Sequence, residues 1–405
     1  MCHGVWRSPL HTYTIMGMTS VITPAPAAGN PVSAADLAQR TIRRSDYVSC
    51  NTAFIDCRMP GSEMKENYSI IGAGVTQNPD QVINLEEPHG FNVGAAAMPN
   101  GVNNNLHLHF TAEVFLNFRG DWRLRWGAGG ENELDFSEGA IVTVPTWIFR
   151  GFTNIGADNG WLFTALGWDN TGGIIWGPSI VRGAREHGLY LSADNQLIDT
   201  RAGGVVDGDT DLIAPMSDDE VSKLRKWTPE QMRSRIVEQA DLTWSHHPFL
   251  CTELPGGRAR FAQVVGYGMT EDRDQVPPVH YPHNFNLGWL RAERGEGMLT
   301  HRHRSTQALI VHRGTWKVAL NHLGEEISVE IGPDDTLSVP AGAWRRFEVI
   351  SDEPGQMVVI NGGDGRVHLE WSEEVRHLAR EKDWAQDAAG YVAPWAVVRT
   401  SVLDD

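Results

Sequence analysis

Cysteine is scarce, with four residues (Cys2, Cys50, Cys57, Cys251) in 405. That is too few for a disulfide framework, so a reducing, cytoplasmic setting is expected. Positive charge is short as well. A formal net charge of −17 argues against nucleic acid or an anionic membrane as the main partner, since either requires a concentrated basic face. No stretch approaches the about eighteen continuous apolar residues of a spanning helix. The first twenty residues lack a basic region followed by an apolar core, so no signal peptide is expected. Met16 and Met18 are alternative starts to Met1. What the chain has in quantity is glycine (42), tryptophan (15) and an ordinary 41% apolar content, the composition of a folded, turn-rich protein. Its length points to two domains.

The stretch from Gly101 to Gly120 carries the densest chemistry. It sets His107, His109 and Glu113 at H-x-H-x-x-x-E spacing between flanking glycines. On an extended strand, residues two apart share a face, so both imidazoles point the same way. Two imidazoles and a carboxylate converging from one sheet face make a first shell for a divalent cation. That donor set suits non-haem Fe(II) best.

The same stretch occurs twice. At an offset of 194, Cys57 falls on Cys251, Gly72 on Gly266, Asp80 on Asp274 and His89 on His283. His107 and His109 likewise fall on His301 and His303, and Trp122 on Trp316. One inserted residue shifts the offset to 195, where Pro145 matches Pro340, Arg150 matches Arg345 and Gly167 matches Gly362. The chain is a tandem duplication of a unit of more than a hundred residues.

Within each copy the pattern is of short β-rich runs, at 112–127, 139–145, 308–320 and 334–340, ended by glycine, proline or aspartate. Such spacing predicts an all-β sandwich or barrel. Helices are expected outside the copies. Ser217 to Glu220 is a capping-box pattern, and Thr228-Pro229 supplies a cap and an N1 proline ahead of a helix over 230–240. The expected domains are a flexible arm (1–45), an N-terminal barrel (46–185), a helical linker (186–240), a C-terminal barrel (241–370) and a helical tail (371–405).

Both copies resemble the cupin superfamily, small jelly-roll β-barrels that hold one metal inside. The family's first motif, G-x5-H-x-H-x3-4-E-x6-G, is met throughout by Gly101, His107, His109, Glu113 and Gly120. Its second motif, G-x5-P-x-G-x2-H-x3-N, keeps Gly139, Pro145 and Asn154, with Trp147 for the glycine and Arg150 for the histidine. The second copy keeps Gly295, His301, His303 and Gly314, but Gln307 stands for the glutamate and Arg345 again for the histidine. The resemblance implies tandem jelly-roll barrels and a metal held by His107, His109 and Glu113. It leaves a degenerate second site at His301, His303, Gln307 and Arg345.

Arginine at the fourth-ligand position cannot coordinate a cation. Arg150 is expected to clamp an anionic substrate group, the competing reading being a buried ion pair with an acid. For Arg345 the structural reading leads. Arg119 and Trp147 are further substrate-contact candidates, and His89 and His283 are candidates for an extra ligand or else packed barrel edges.

Two-domain members of this superfamily include dioxygenases and oxalate decarboxylases. The resemblance therefore implies an Fe(II)-dependent dioxygenase acting on a small anionic molecule, aromatic or polyketide-like, with Zn, Mn or Ni as other candidate metals. Two alternatives stay open: a redox-silent metal-dependent isomerase, lyase or hydrolase, and a non-enzymatic binder of small anions. A small-molecule substrate is the expected partner, and the arm and barrel edges leave room for a homo-oligomer.

Overall fold

Each barrel is built from one large sheet and one five-stranded sheet. In the first, the large sheet runs Ile236–Val237, Ile141–Val144, Glu113–Arg119, Gly160–Gly167, Phe91–Met98, Glu66–Ile71 and Ile83–Leu85. Its partner sheet runs Ile174–Trp176, Asn103–His109, Arg150–Asn154, Trp122–Trp126 and Asn132–Phe136. The second barrel repeats this with a six-stranded and a five-stranded sheet. The computed structural model describes residues 31–322 and 324–401, so Cys2, the alternative starts and most of the expected arm lie outside the described residues. Cys50, Cys57 and Cys251 are free thiols. Among the described residues, no helix is long and apolar enough to cross a membrane.

The two sheet types differ in sequence pattern because they differ in what covers them. The large sheets pack against each other, with Val93, Phe118 and Phe163 meeting Leu287, Trp289 and Ile360 in one apolar cluster. A strand covered on both faces is buried along its length rather than at alternate residues, as Glu113–Arg119 is up to its last residue. The five-stranded sheets keep one face toward solvent, so Trp122–Trp126 and Arg345–Val349 alternate buried and half-buried residues. The tryptophans on the inward parity of these strands fill the barrel interiors.

The repeated unit is longer than the sequence comparison suggested. Helix Ala34–Arg40 follows a Ser33 cap, and helix Pro229–Arg233 follows a Thr228 cap at the equivalent place. The helix predicted over 230–240 therefore stops early, and Ile236–Val237 is a strand. Helix Pro178–Glu186 and the hairpin Leu189–Leu191/Leu197–Asp199 recur as helix Glu373–Glu381 and the hairpin Trp384–Gln386/Val392–Pro394. Much of the expected linker and tail thus belongs to the two copies. Part of the expected arm is regular structure. Thr41–Ile42, which precedes the first barrel, pairs with Thr336–Val339 of the second. Ile236–Val237, which precedes the second, pairs with Ile141–Val144 of the first. Each copy covers an exposed sheet edge of the other.

Candidate metal centre

His107 and His109 lie at the C-terminal end of strand Asn103–His109, on the five-stranded sheet. The chain then turns, and Glu113 opens strand Glu113–Arg119 of the facing sheet. The ligands therefore come from two facing sheets rather than from one sheet face, as the spacing alone had suggested. All three are buried, and their donor atoms lie within 4.8 Å of one another.

The histidines are held in the form a metal needs. His107 Nδ1 lies 2.6 Å from the Asn105 carbonyl oxygen. A carbonyl only accepts, so Nδ1 carries the proton and the Nε2 lone pair is left for a cation. Burial, reinforced by the nearby Arg150 charge, depresses the His107 pKa well below its ordinary value and keeps the ring neutral. His109 Nε2 stands 3.5 Å from Glu113 Oε1.

Arg150 does not clamp a substrate. It is fully buried, and it donates from Nη2 (2.6 Å) and Nε (3.1 Å) to Glu113 Oε2 and from Nη1 (3.2 Å) to the His107 carbonyl. The expectation fails because Glu113 offers a closer and already desolvated anion. Burial disfavours the charged form of both partners, raising the Glu113 carboxyl and lowering the Arg150 guanidinium, and their direct contact opposes that penalty. With Oε2 occupied, Oε1 is the oxygen Glu113 presents to a cation. These residues fit a divalent metal.

The other expected contacts lie elsewhere. Arg119 is half-exposed, 3.8 Å from Asp334 of the other barrel, because its strand ends at the interface. Trp147 is exposed on the outside, edge-to-face with Phe110 at 5.3 Å, and only its backbone N–H reaches the His109 carbonyl. It has φ 57°, a left-handed conformation that costs a side chain about 1–2 kcal/mol. Gly342 occupies the matching position of the second copy at φ 75°. His89 is no ligand either. Its Nε2 lies 2.7 Å from Ser338 Oγ, across the barrel interface. His283 is anchored through Nδ1 to the Tyr281 carbonyl at the equivalent point.

The second barrel uses its equivalents differently. Arg345 Nη1 donates to His303 Nε2 and to Gln307 Oε1, both at 3.0 Å, so the lone pair a metal would take is already engaged. Its remaining hydrogen bonds go to the Ala343 and Pro340 carbonyls. Among the described residues, only His107, His109 and Glu113 form a metal-competent cluster.

Beside that cluster a cavity of about 60 Å³ opens between the sheets, lined by Asn67, Ser69, Asn104, Phe152, Thr164 and the three ligands among others. With about 10–15 Å³ of such space enough for one water, the cavity takes a small molecule or the end of a longer one. Sequence reading missed Asn104, although the run Asn103–Asn105 ahead of the histidines was visible.

The family described as "Cupin domain" matches residues 288–361, which lie in the barrel with the degraded ligand set. No curated protein matches the chain in sequence. Among solved structures, the oxalate decarboxylase of Lactobacillus farciminis, described as a formate complex, is similar at 11% identity and TM-score 0.51, covering 84% of this chain and 90% of that one. The vicilin of Capsicum annuum is similar at 10% identity and TM-score 0.50, covering 85% and 94%. At such identities the likeness is one of fold, and it spans both barrels of an enzyme and of a vicilin alike. The family match identifies a cupin domain in the second barrel, and the likeness of fold extends over both barrels of the doubled jelly roll.

Proposed function

We propose that the protein is an Fe(II)-dependent dioxygenase working from its first barrel on a small anionic substrate. The observation that carries the reading is the buried trio His107, His109 and Glu113, whose donor atoms lie within 4.8 Å beside a cavity. Two imidazoles and one carboxylate leave coordination positions open, the arrangement typical of non-haem Fe(II) oxygenases. Fe(II) held there would supply the electrons that O2 chemistry requires and a side chain cannot.

The preference for an anion now rests on charge balance rather than on Arg150. Glu113 is neutralised by Arg150 and Asp56 by Lys65, so a divalent ion adds two uncompensated positive charges to a buried site. An anionic ligand offsets that cost. The cavity's size favours a compact carboxylate, or the acid end of a longer molecule.

Elemental analysis of wild type, His107→Ala and His301→Ala, followed by oxygen uptake with a panel of small carboxylates, tests this reading. One metal per chain is expected in wild type and in His301→Ala, none in His107→Ala, with oxygen uptake coupled to substrate loss. Turnover without oxygen uptake would leave a redox-silent metalloenzyme. Absence of stoichiometric metal would leave a binding protein.

A further inference from the structure

Under the metal centre lies a fully buried ion pair that the ligand set does not explain. Lys65 Nζ donates to both Asp56 oxygens at 2.7 and 2.8 Å and to Asn104 Oδ1 at 2.5 Å. Asp56 Oδ2 also accepts from the Asn105 backbone N–H (3.1 Å) and side-chain amide (3.2 Å). Lys65, Asp56 and Asn104 are 1%, 0% and 6% exposed. Burying such a pair costs several kcal/mol per ion before its contacts offset the penalty, so its presence calls for a reason.

The second barrel shows that the fold does not supply one. At the offset of 194, Asp56 corresponds to Leu250, Lys65 to Ala259, Asn104 to Met298 and Asn105 to Leu299. Three of these are buried in the second barrel's apolar core and the fourth packs against it. The same architecture therefore forms with apolar residues at all four places. The polar set occurs in the copy that also keeps the complete His-His-Glu trio.

Its geometric consequence is specific. Because Lys65 donates to Asn104 Oδ1, the Asn104 amide cannot turn over, and its NH2 faces the other way. The polar atom it meets there is His107 Nδ1 at 3.4 Å. That nitrogen already carries a proton directed at the Asn105 carbonyl, so it accepts nothing. Asn104 lines the cavity shared by the three ligands. A buried N–H donor is thus left over at the edge of the metal centre.

We propose that Asn104 is a ligand-binding residue of the first barrel, its amide N–H placed to bind an oxygen of a small carboxylate beside the metal. Lys65 and Asp56 are positioning residues that fix the orientation of this amide. This rests on the metal-site reading above and extends it to the group that recognises the substrate.

The test uses the full chain loaded with Co(II), whose visible spectrum reports the ligand set, and acetate as the probe. Two variants carry the second barrel's own residues: Asn104→Met, and the pair Asp56→Leu with Lys65→Ala. Neither removes a metal ligand, so both are expected to bind one Co(II) with the wild-type spectrum. Acetate affinity is expected to fall by about tenfold or more in each, the effect of one lost buried hydrogen bond. Acetate affinity unchanged within about twofold in either variant would overturn the assignment, as would failure of acetate to bind the Co(II)-loaded wild type. A wild type that takes up no Co(II) would instead defeat the metal-site reading itself, a separate result seen before acetate is added.

Discussion

Arg150 and Arg345 occupy the same position in the two copies, yet Arg150 binds a carboxylate, Glu113, at 2.6 Å, whereas Arg345 is held by neutral acceptors. The difference follows from one residue, Glu113 in one copy and Gln307 in the other. Where the acid is present, the guanidinium turns to it and both imidazoles stay free. Where the acid is absent, the guanidinium takes the lone pair of His303. Burial then lowers the Arg345 pKa to about 9.

The two arginines should therefore differ in what their removal costs. Arg150→Met strands a buried carboxylate, a change worth about 3–5 kcal/mol. Arg345→Met strands only neutral acceptors, worth about 1–3 kcal/mol. Urea unfolding of the metal-free proteins measures both. Equal costs, or a larger one for Arg345→Met, would contradict the pairing described here.

Rebuilding the acid in the second barrel should rebuild its metal site. Gln307 also donates to Asn361 Oδ1 at 2.9 Å, so a glutamate alone would face another acceptor. The first barrel has Leu166 at the place of Asn361. Gln307→Glu combined with Asn361→Leu is expected to draw Arg345 onto the new carboxylate and release His303 Nε2. Metal content should rise from one to two per chain. A stoichiometry of one would show that more than the acid is missing there.

The sequence made the barrels and the metal ligands legible because both depend on local spacing. Two residues apart on a strand means a shared face, and the 194-residue echo needs no structure to be seen. What stayed hidden depends on which sheet faces which. Glu113 lies on the opposite sheet from the histidines, so the partner of Arg150 could not be read from parity. The significance of Asn104 rests on Lys65, 39 residues earlier. The outer parts of the repeat escaped because their residue types have drifted. Gly188 and Asp383 share a left-handed backbone, at φ 78° and 62°, but not a side chain, and Leu189 has become Trp384.

The barrel interface is expected to be intolerant at two equivalent glycines. A Cβ on Gly362 would lie 2.7 Å from the His89 carbonyl oxygen, and one on Gly167 would collide with that of His283. Both neighbours are backbone atoms that cannot rotate away. Gly362→Ala should cost about 1–3 kcal/mol by overpacking. It should also broaden or split the unfolding transition as the barrels lose contact. A single transition at the wild-type midpoint in calorimetry would show that the interface yields freely.

Acid should destabilise the protein partly through His283. Burial depresses its pKa from 6.5 to about 4, so the folded state holds the ring neutral where the unfolded chain would protonate it. Between those values the unfolded state binds more protons, and stability falls as pH falls, by about 3 kcal/mol in total from this group. Glu271 acts in the opposite sense. Its pKa is pushed up to about 7 by burial, so its contribution is present below pH 4.5 and is lost as pH rises through 7. The two are separable by substitution. His283→Gln should flatten the loss of stability between pH 6.5 and about 4, whereas Glu271→Gln, by removing the opposing contribution, should steepen it between pH 4.5 and about 7. Urea midpoints across pH 4 to 8 measure both. An unchanged acid slope in His283→Gln would assign the acid sensitivity to other buried histidines, of which His301, lowered to about 3, is the next to test.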